Sequence, residues 1–278
     1  MTDEALLEAT GIVRARDPDR YLADLFAPAE ARPHLLALHA FALEVADIRR
    51  KVSQPALGEI RLKWWETAIR GEHGGNPLAA AVAETVTRYG LPLAAFDNLL
   101  QARVFDLYDD AMPSVNDLEG YAGDTGSVLM QLGAMILAGG RDAGTAEVAG
   151  LAGVAVALTG LLRTLPRHAA EGQSYLPLDL LDQHGGVPEG VTAPPSAAAV
   201  RATVADLRAL ARRRLDEARG AFSAASGALL PAFLPAALVP LYLDRMERPG
   251  FDPLRDVVDI SPVRRQWTLW RAARAGRF

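Results

Sequence analysis

Apolar residues recur at helical spacing along almost the whole of this chain, and no stretch alternates β-branched and polar residues between hairpin turns. That pattern restricts the fold to an all-α class. Tyr21, Leu22, Leu25 and Phe26 form one helical stripe, which ends at Ala27-Pro28 because a residue before proline disfavours helix. A second helix starts within 29–33 and runs through Leu35, Leu36, Leu38, Phe41, Ala42 and Val45. Pro55 opens a third, carrying Leu57, Ile60, Leu62, Trp64, Trp65, Ala68 and Ile69 and closed by Gly71. The next covers 78–89 and stops at Gly90. Pro92 then begins a helix through Phe96, Leu99, Leu100, Val104 and Leu107 that breaks at Met112-Pro113, and Ser114 reads as the N-cap of a helix entering Tyr121. Gly139-Gly140 separates two strongly apolar segments, 128–139 and 148–162. The stretch 183–196, with Gly185, Gly186, Pro188, Gly190, Pro194 and Pro195, is the longest irregular connection, and helix resumes at Ala197 with Val200, Val204, Leu207, Leu210 and Leu215. Short loops and no polar linker predict one domain over 1–278.

Half of the 278 residues are hydrophobic, enough for a substantial core. A formal charge of −5 and a pI near 5.6 exclude nucleic acid as the main partner. Without cysteine there is no disulfide, thiolate nucleophile or cysteine-based zinc site, and His34, His39, His73, His168 and His184 make no metal-binding spacing. The acidic start Met1-Thr2-Asp3-Glu4-Ala5 lacks the features of a secretory signal, which predicts a cytoplasmic protein. The two apolar segments fall short of the roughly 20 residues that span a bilayer and are expected to be buried helices.

The segment 160–179 holds Leu162, Arg163, Ala169, Gly172, Tyr175, Leu176 and Pro177 in an order that resembles a signature of squalene and phytoene synthases, the head-to-head prenyltransferases of isoprenoid biosynthesis. The resemblance is collinear. Asp19-Arg20-Tyr21, Ala37-Leu38-His39-Ala40-Phe41, Trp64-Trp65, Asn76-Pro77-Leu78, Asp106-Leu107 and Leu118-Glu119-Gly120-Tyr121 follow in family order. It implies an isoprenoid-synthase-type helical bundle around a central apolar cavity.

In active members, aspartates on two facing helices hold magnesium against substrate diphosphate, because a hard divalent cation takes oxygen ligands and stabilises the leaving charge. Here the first motif falls on Ala46-Asp47-Ile48-Arg49-Arg50 and the second on Thr164 and His168. Asp47 alone keeps a ligand position. Asp124 and Ser127 also stand where active members have arginine and glycine. The resemblance therefore assigns degenerate motif positions (Ala46, Asp47, Arg50, Thr164, His168), no catalytic residue and no metal site. It implies no cofactor, and Mg²⁺ only under the alternative that the protein is an active prenyltransferase making a squalene- or phytoene-like product.

The segment 53–65 reads S-x-P-x-L-G-x-I-R-L-x-W-W and is similar to the branch of the family that includes a mitochondrial complex I assembly factor and its bacterial relatives, whose aspartate motifs are degenerate as well. That similarity implies a pseudoenzyme, an assembly or accessory factor with a membrane-associated protein partner, binding a prenyl lipid or diphosphate in its cavity; a lipid carrier is a further alternative. Arg49, Arg50, Lys51, Arg163 and Arg167, with Tyr175, are the candidate anion binders, since guanidinium groups pair well with phosphate oxygens. The competing expectation is an internal salt-bridge network through Asp47, Glu44 and Glu59, with His168 a satisfied polar residue. Asp106, Asp109 and Asp110 read either as a relocated metal site or, preferably, as a solvated helix end, and Asp256 and Asp259 as turn caps. Trp64 and Trp65 point to different sides of a helix, with core packing the simplest expectation for both. Finally, Arg264, Arg265, Arg271, Arg274 and Arg277 accompany Trp267, Leu269, Trp270 and Phe278 with no acid after Asp259. Such a helix either contacts the inner face of an anionic membrane peripherally or packs its tryptophans as an ordinary last helix.

Overall fold

The computed structural model describes residues 1–186, 195–222 and 224–278, so most of the irregular connection expected over 183–196 lies outside the described residues. Among the described residues sixteen α-helices follow one another: α1 (Asp3–Arg16), α2 (Pro18–Asp24), α3 (Arg32–Ala46), α4 (Ile48–Lys51), α5 (Pro55–Ile69), α6 (Pro77–Tyr89), α7 (Leu93–Ala102), α8 (Val115–Ala122), α9 (Val128–Leu137), α10 (Ala146–Arg163), α11 (Leu165–Ala170), α12 (Leu178–Gln183), α13 (Ala197–Ala221), α14 (Leu230–Phe233), α15 (Val239–Met246) and α16 (Pro262–Ala275). The described residues contain no strand, as the helical periodicity predicts.

Local chemistry sets most of these boundaries. The Asn76 side chain accepts from the Ala79 amide at 2.8 Å, Pro77 fills the first helical position, and Gly90 closes α6 with a left-handed φ of 58°. Ser114, Ser196 and Ser261 cap α8, α13 and α16 in the same way. One boundary departs from the periodicity. The helix expected through Leu107 ends at Ala102, and Phe105–Leu107 forms a 3₁₀ turn instead. Tertiary bonds hold that turn: the Asp106 carbonyl accepts from Arg49 at 3.0 Å and from the Gln173 amide at 2.7 Å.

Buried apolar side chains form two groups, one centred on α1, α3, α5 and α6, the other on α10, α13 and α15. α9 belongs to both, sending Leu129, Leu132 and Ile136 into the first and Met130 and Ala134 into the second, as expected of a helix apolar all round. Between α8 and α9, Gly123–Ser127 adopts a π-turn, and Gly153 of α10 lies so close to it that an added Cβ would meet the Ser127 backbone. The Ser127 hydroxyl fixes this approach by donating to the Gly150 carbonyl at 2.7 Å.

Among the described residues two stretches, Ala146–Arg163 and Gly227–Met246, are long and apolar enough to cross a membrane by length and composition, and half or more of each is buried in this fold. The second is assembled from short helical turns that the periodicity did not single out. Trp65 is core, edge-on to Phe41 at 5.1 Å, but Trp64 is 37% exposed, so core packing holds for only one of the pair. The expectation that α16 packs its tryptophans is overturned. Trp267 and Trp270 are 57% and 46% exposed and stack on each other at 5.1 Å, because the buried face of the helix is taken by Arg265 and Leu269.

Candidate functional site

A cavity of about 640 Å³ is lined from both core groups. Leu129, Val156, Ala157, Pro235 and Val239 supply apolar wall. Around them stand seven arginines (16, 20, 49, 50, 103, 163 and 167) against four carboxylates (Asp17, Asp19, Asp106 and Glu171). The lining is apolar only in part, and its charge is positive in a chain whose total is negative.

Of the first motif, Ala46 and Arg50 line the cavity while Asp47 does not. The break between α3 and α4 places Asp47 within reach of three cations: Arg50 Nε donates to it at 2.6 Å, and Arg16 and Lys51 lie at 3.4 and 3.7 Å. Lys51 also donates to Glu44 at 2.5 Å and stays outside the cavity. Arg49 is held by the Asp106, Tyr108 and Glu171 carbonyls and by Asp109. The internal network thus runs through Asp47 and Glu44 as expected, but Glu59 is outside it and accepts from the Tyr108 hydroxyl.

The second motif sits at the junction of α10 and α11. Thr164 turns its hydroxyl back onto the Gly160 carbonyl at 2.8 Å, a bond that bends a helix, with the Leu161 carbonyl at 3.4 Å and His168 Nε2 at 3.5 Å. Burial, reinforced by the positive charge of Arg167, depresses the His168 pKa to about 4, so the ring is neutral near pH 7. Its Nδ1 is buried without a partner among the described residues, so His168 is not the satisfied residue expected. Arg163 lies 3.6 Å over the Tyr242 ring and 3.3 Å from Asp19. Arg167, in contrast, is exposed at the cavity, and its side chain makes no hydrogen bond or ion pair among the described residues.

Asp106 corrects a second expectation. It is 5% exposed, and its carboxylate accepts from the Tyr121 and Tyr175 hydroxyls, each at 2.7 Å, and from Arg103 at 2.9 Å. A solvated helix end it is not, because the helix has already stopped and the turn faces inward. Burial and the adjacent carboxylate raise the pKa of both tyrosines, which remain protonated donors. Tyr175 is therefore committed to Asp106. The Arg103 Nε is buried with no partner among the described residues. Asp19 anchors a second network that sequence reasoning passed over, accepting from Tyr242 at 2.7 Å and from Arg265 at 2.5 Å. Its pKa is raised by burial and by Asp17. The one signal was its place in Asp19-Arg20-Tyr21. Asp256 caps a turn through the Asp252 amide, and Asp259 through that of Ile260, although Asp259 also pairs with Arg265 at 2.7 Å.

These donors do not fit a magnesium centre. Asp47, Asp19 and Asp106 belong to three separate, cation-neutralised networks, and among the described residues no group of three acidic or histidine side chains could hold a metal ion. What the cavity offers is guanidinium, suited to an anion bound directly.

A family model described as squalene/phytoene synthase matches residues 13–271. Complex I assembly factor 6 of Rattus norvegicus is 31% identical over 245 residues, 87% of this chain and 73% of that protein, and the human protein is 30% identical over 255 residues, 90% of this chain and 75% of its own. Phytoene synthase of Thermus thermophilus is 27% identical over 270 residues, covering 96% and 92%. Among solved structures, a dehydrosqualene synthase in complex with ligand superposes with a TM-score of 0.75 at 20% identity over 98% of this chain and 96% of that one. A squalene synthase from Alicyclobacillus acidocaldarius does so with 0.68 at 21% identity over 99% and 96%, a likeness of fold.

Proposed function

Because the chain belongs to the squalene/phytoene synthase family, we propose that it is a non-catalytic accessory factor, acting in the assembly of a membrane-associated complex of the respiratory complex I kind. In this reading the cavity binds the diphosphate of a prenyl compound directly, without a metal. One observation carries it: the sole carboxylate left in the aspartate motifs, Asp47, is consumed by Arg50, Arg16 and Lys51, and the facing positions Thr164 and His168 bond to each other. The similarity to complex I assembly factor 6 supports the accessory role. The excess of arginine in the lining supports the anion, with Arg167 the guanidinium left over for it.

A partner contact also needs a surface. The segment that resembles the assembly-factor branch supplies one, since Leu57, Ile60 and Trp64 are 45%, 64% and 37% exposed at i, i+3 and i+7 on α5, outside the core.

The test is purified protein with labelled farnesyl or geranylgeranyl diphosphate, with and without Mg²⁺. Binding without turnover, unaffected by Mg²⁺ and weakened in Arg167→Ala, is expected. Magnesium-dependent release of diphosphate, abolished in Asp47→Asn, would establish the prenyltransferase instead. For the partner, a strain lacking the protein should lose assembled complex I; normal respiration in that strain overturns the assembly role, and prenyl transfer between vesicles would then favour a lipid carrier.

A further inference from the structure

α16 has two apolar faces, and folding uses one. At about 100° per residue, Val263, Trp267, Trp270 and Arg274 fall within roughly 60° of each other, while Arg265 and Leu269 point the opposite way. The inner pair is 5% and 0% exposed, and Arg265 is bonded to both Asp19 and Asp259. The outer residues Val263, Trp267 and Trp270 are 76%, 57% and 46% exposed. Two indoles that could have been buried stack on each other in solvent, with Arg274 6.0 Å from the Trp270 ring.

Arginine borders this stripe. Arg264, Arg271, Arg274 and Arg277 are all exposed, and none makes an ion pair among the described residues. From Pro262 to Phe278 there is no acidic residue at all, in a protein whose net charge is −5. Helix stability does not account for the set: cations at a helix C-terminus complement the dipole, but Arg264 lies in the first turn, where the dipole opposes it. Indole rings favour the boundary between water and acyl chains, and arginines beside them find lipid phosphates.

We propose that the outward face of α16 docks flat on an anionic membrane surface, seating Trp267 and Trp270 at the headgroup boundary with Arg264, Arg271 and Arg274 on the phosphates. The contact is peripheral. The contact uses α16 alone and does not depend on what the cavity binds.

Flotation of the full chain with phosphatidylcholine vesicles, and with vesicles that also contain phosphatidylglycerol, tests the proposal. Wild-type protein should float with the anionic vesicles, stay behind with the neutral ones, and lose binding at high salt. Partitioning should weaken about thirtyfold or more in R271E/R274E, from roughly 1 kcal/mol for each of the two basic residues near the surface, and should also fall in W267S/W270S. In a Trp64→Phe/Trp65→Phe background, the remaining indole emission should shift to shorter wavelength on anionic vesicles only. Both double variants should keep the wild-type melting temperature and prenyl diphosphate binding, since the face they alter is not packed. Failure of the wild type to float, or full binding by both double variants, overturns the proposal. Capture of a protein by this face without any vesicle binding would also overturn it, and would leave the cavity reading untouched.

Discussion

Asp106 accepts from two phenols and a guanidinium at once, so removing its carboxylate strands three donors in a site that water reaches poorly. Asp106→Ala should therefore cost about 3–5 kcal/mol of unfolding free energy, the usual range for breaking a buried charged pair, measured by denaturant titration. Helical periodicity continued through 107 makes this residue look solvated in the sequence; two of the partners, Tyr121 and Tyr175, lie 15 and 69 positions away, beyond any local pattern. His168 carries a pH dependence. Its folded pKa is about 4 against 6.5 for an unperturbed ring, so between those values the unfolded chain binds the proton that the folded one refuses. Stability should be complete above pH 6.5, fall as the pH drops toward 4, and level off below that; in His168→Gln melting temperatures should lose this part of the slope.

Element boundaries were legible wherever a side chain or a special backbone angle enforces them. Gly90, Ser114 and Pro55 mark their helices as the sequence indicates, whereas α6 starts at Pro77 under an Asn76 cap, one residue before the expected 78. The periodicity failed where tertiary bonds outbid it, at the end of α7, and where a helix carries two apolar stripes, in α16, because spacing alone does not say which stripe the core takes. Close approach is equally hidden from pattern. Gly153 reads as one more small residue in an apolar run, yet it lets α10 lie against the π-turn at Ser127. Gly153→Val should destabilise by about 1–3 kcal/mol through overpacking. It should also perturb the cavity, since Thr125 and Gly126 of that turn line it. A weakened affinity for prenyl diphosphate, measured beside the melting temperature, checks both effects. Gly150→Ala, with nothing within 4 Å of the added carbon, serves as control.

For the molecule as a whole, the ordered resemblance from Asp19 to Pro177 made the all-helical isoprenoid-synthase fold legible, and the missing aspartates were visible as letters. What replaced them was not, because the networks around Asp47, Asp19 and Asp106 join residues up to 246 positions apart. The Asp19 network joins the two ends of the chain. Asp19 accepts at once from Arg163 in the cavity wall and from Arg265 on the inner side of α16. A diphosphate that draws Arg163 toward itself takes away part of what balances Asp19, and the carboxylate then leans more heavily on Arg265. Cavity and last helix would then exchange free energy through the two carboxylates that Arg163 and Arg265 share, Asp19 and Asp259, and such an exchange is reciprocal. Whatever factor bound diphosphate imposes on vesicle affinity, vesicles must impose on diphosphate affinity, and Asp19→Asn should bring both factors toward one. Calorimetry with and without vesicles, set beside flotation with and without diphosphate, reads the two sides of that balance.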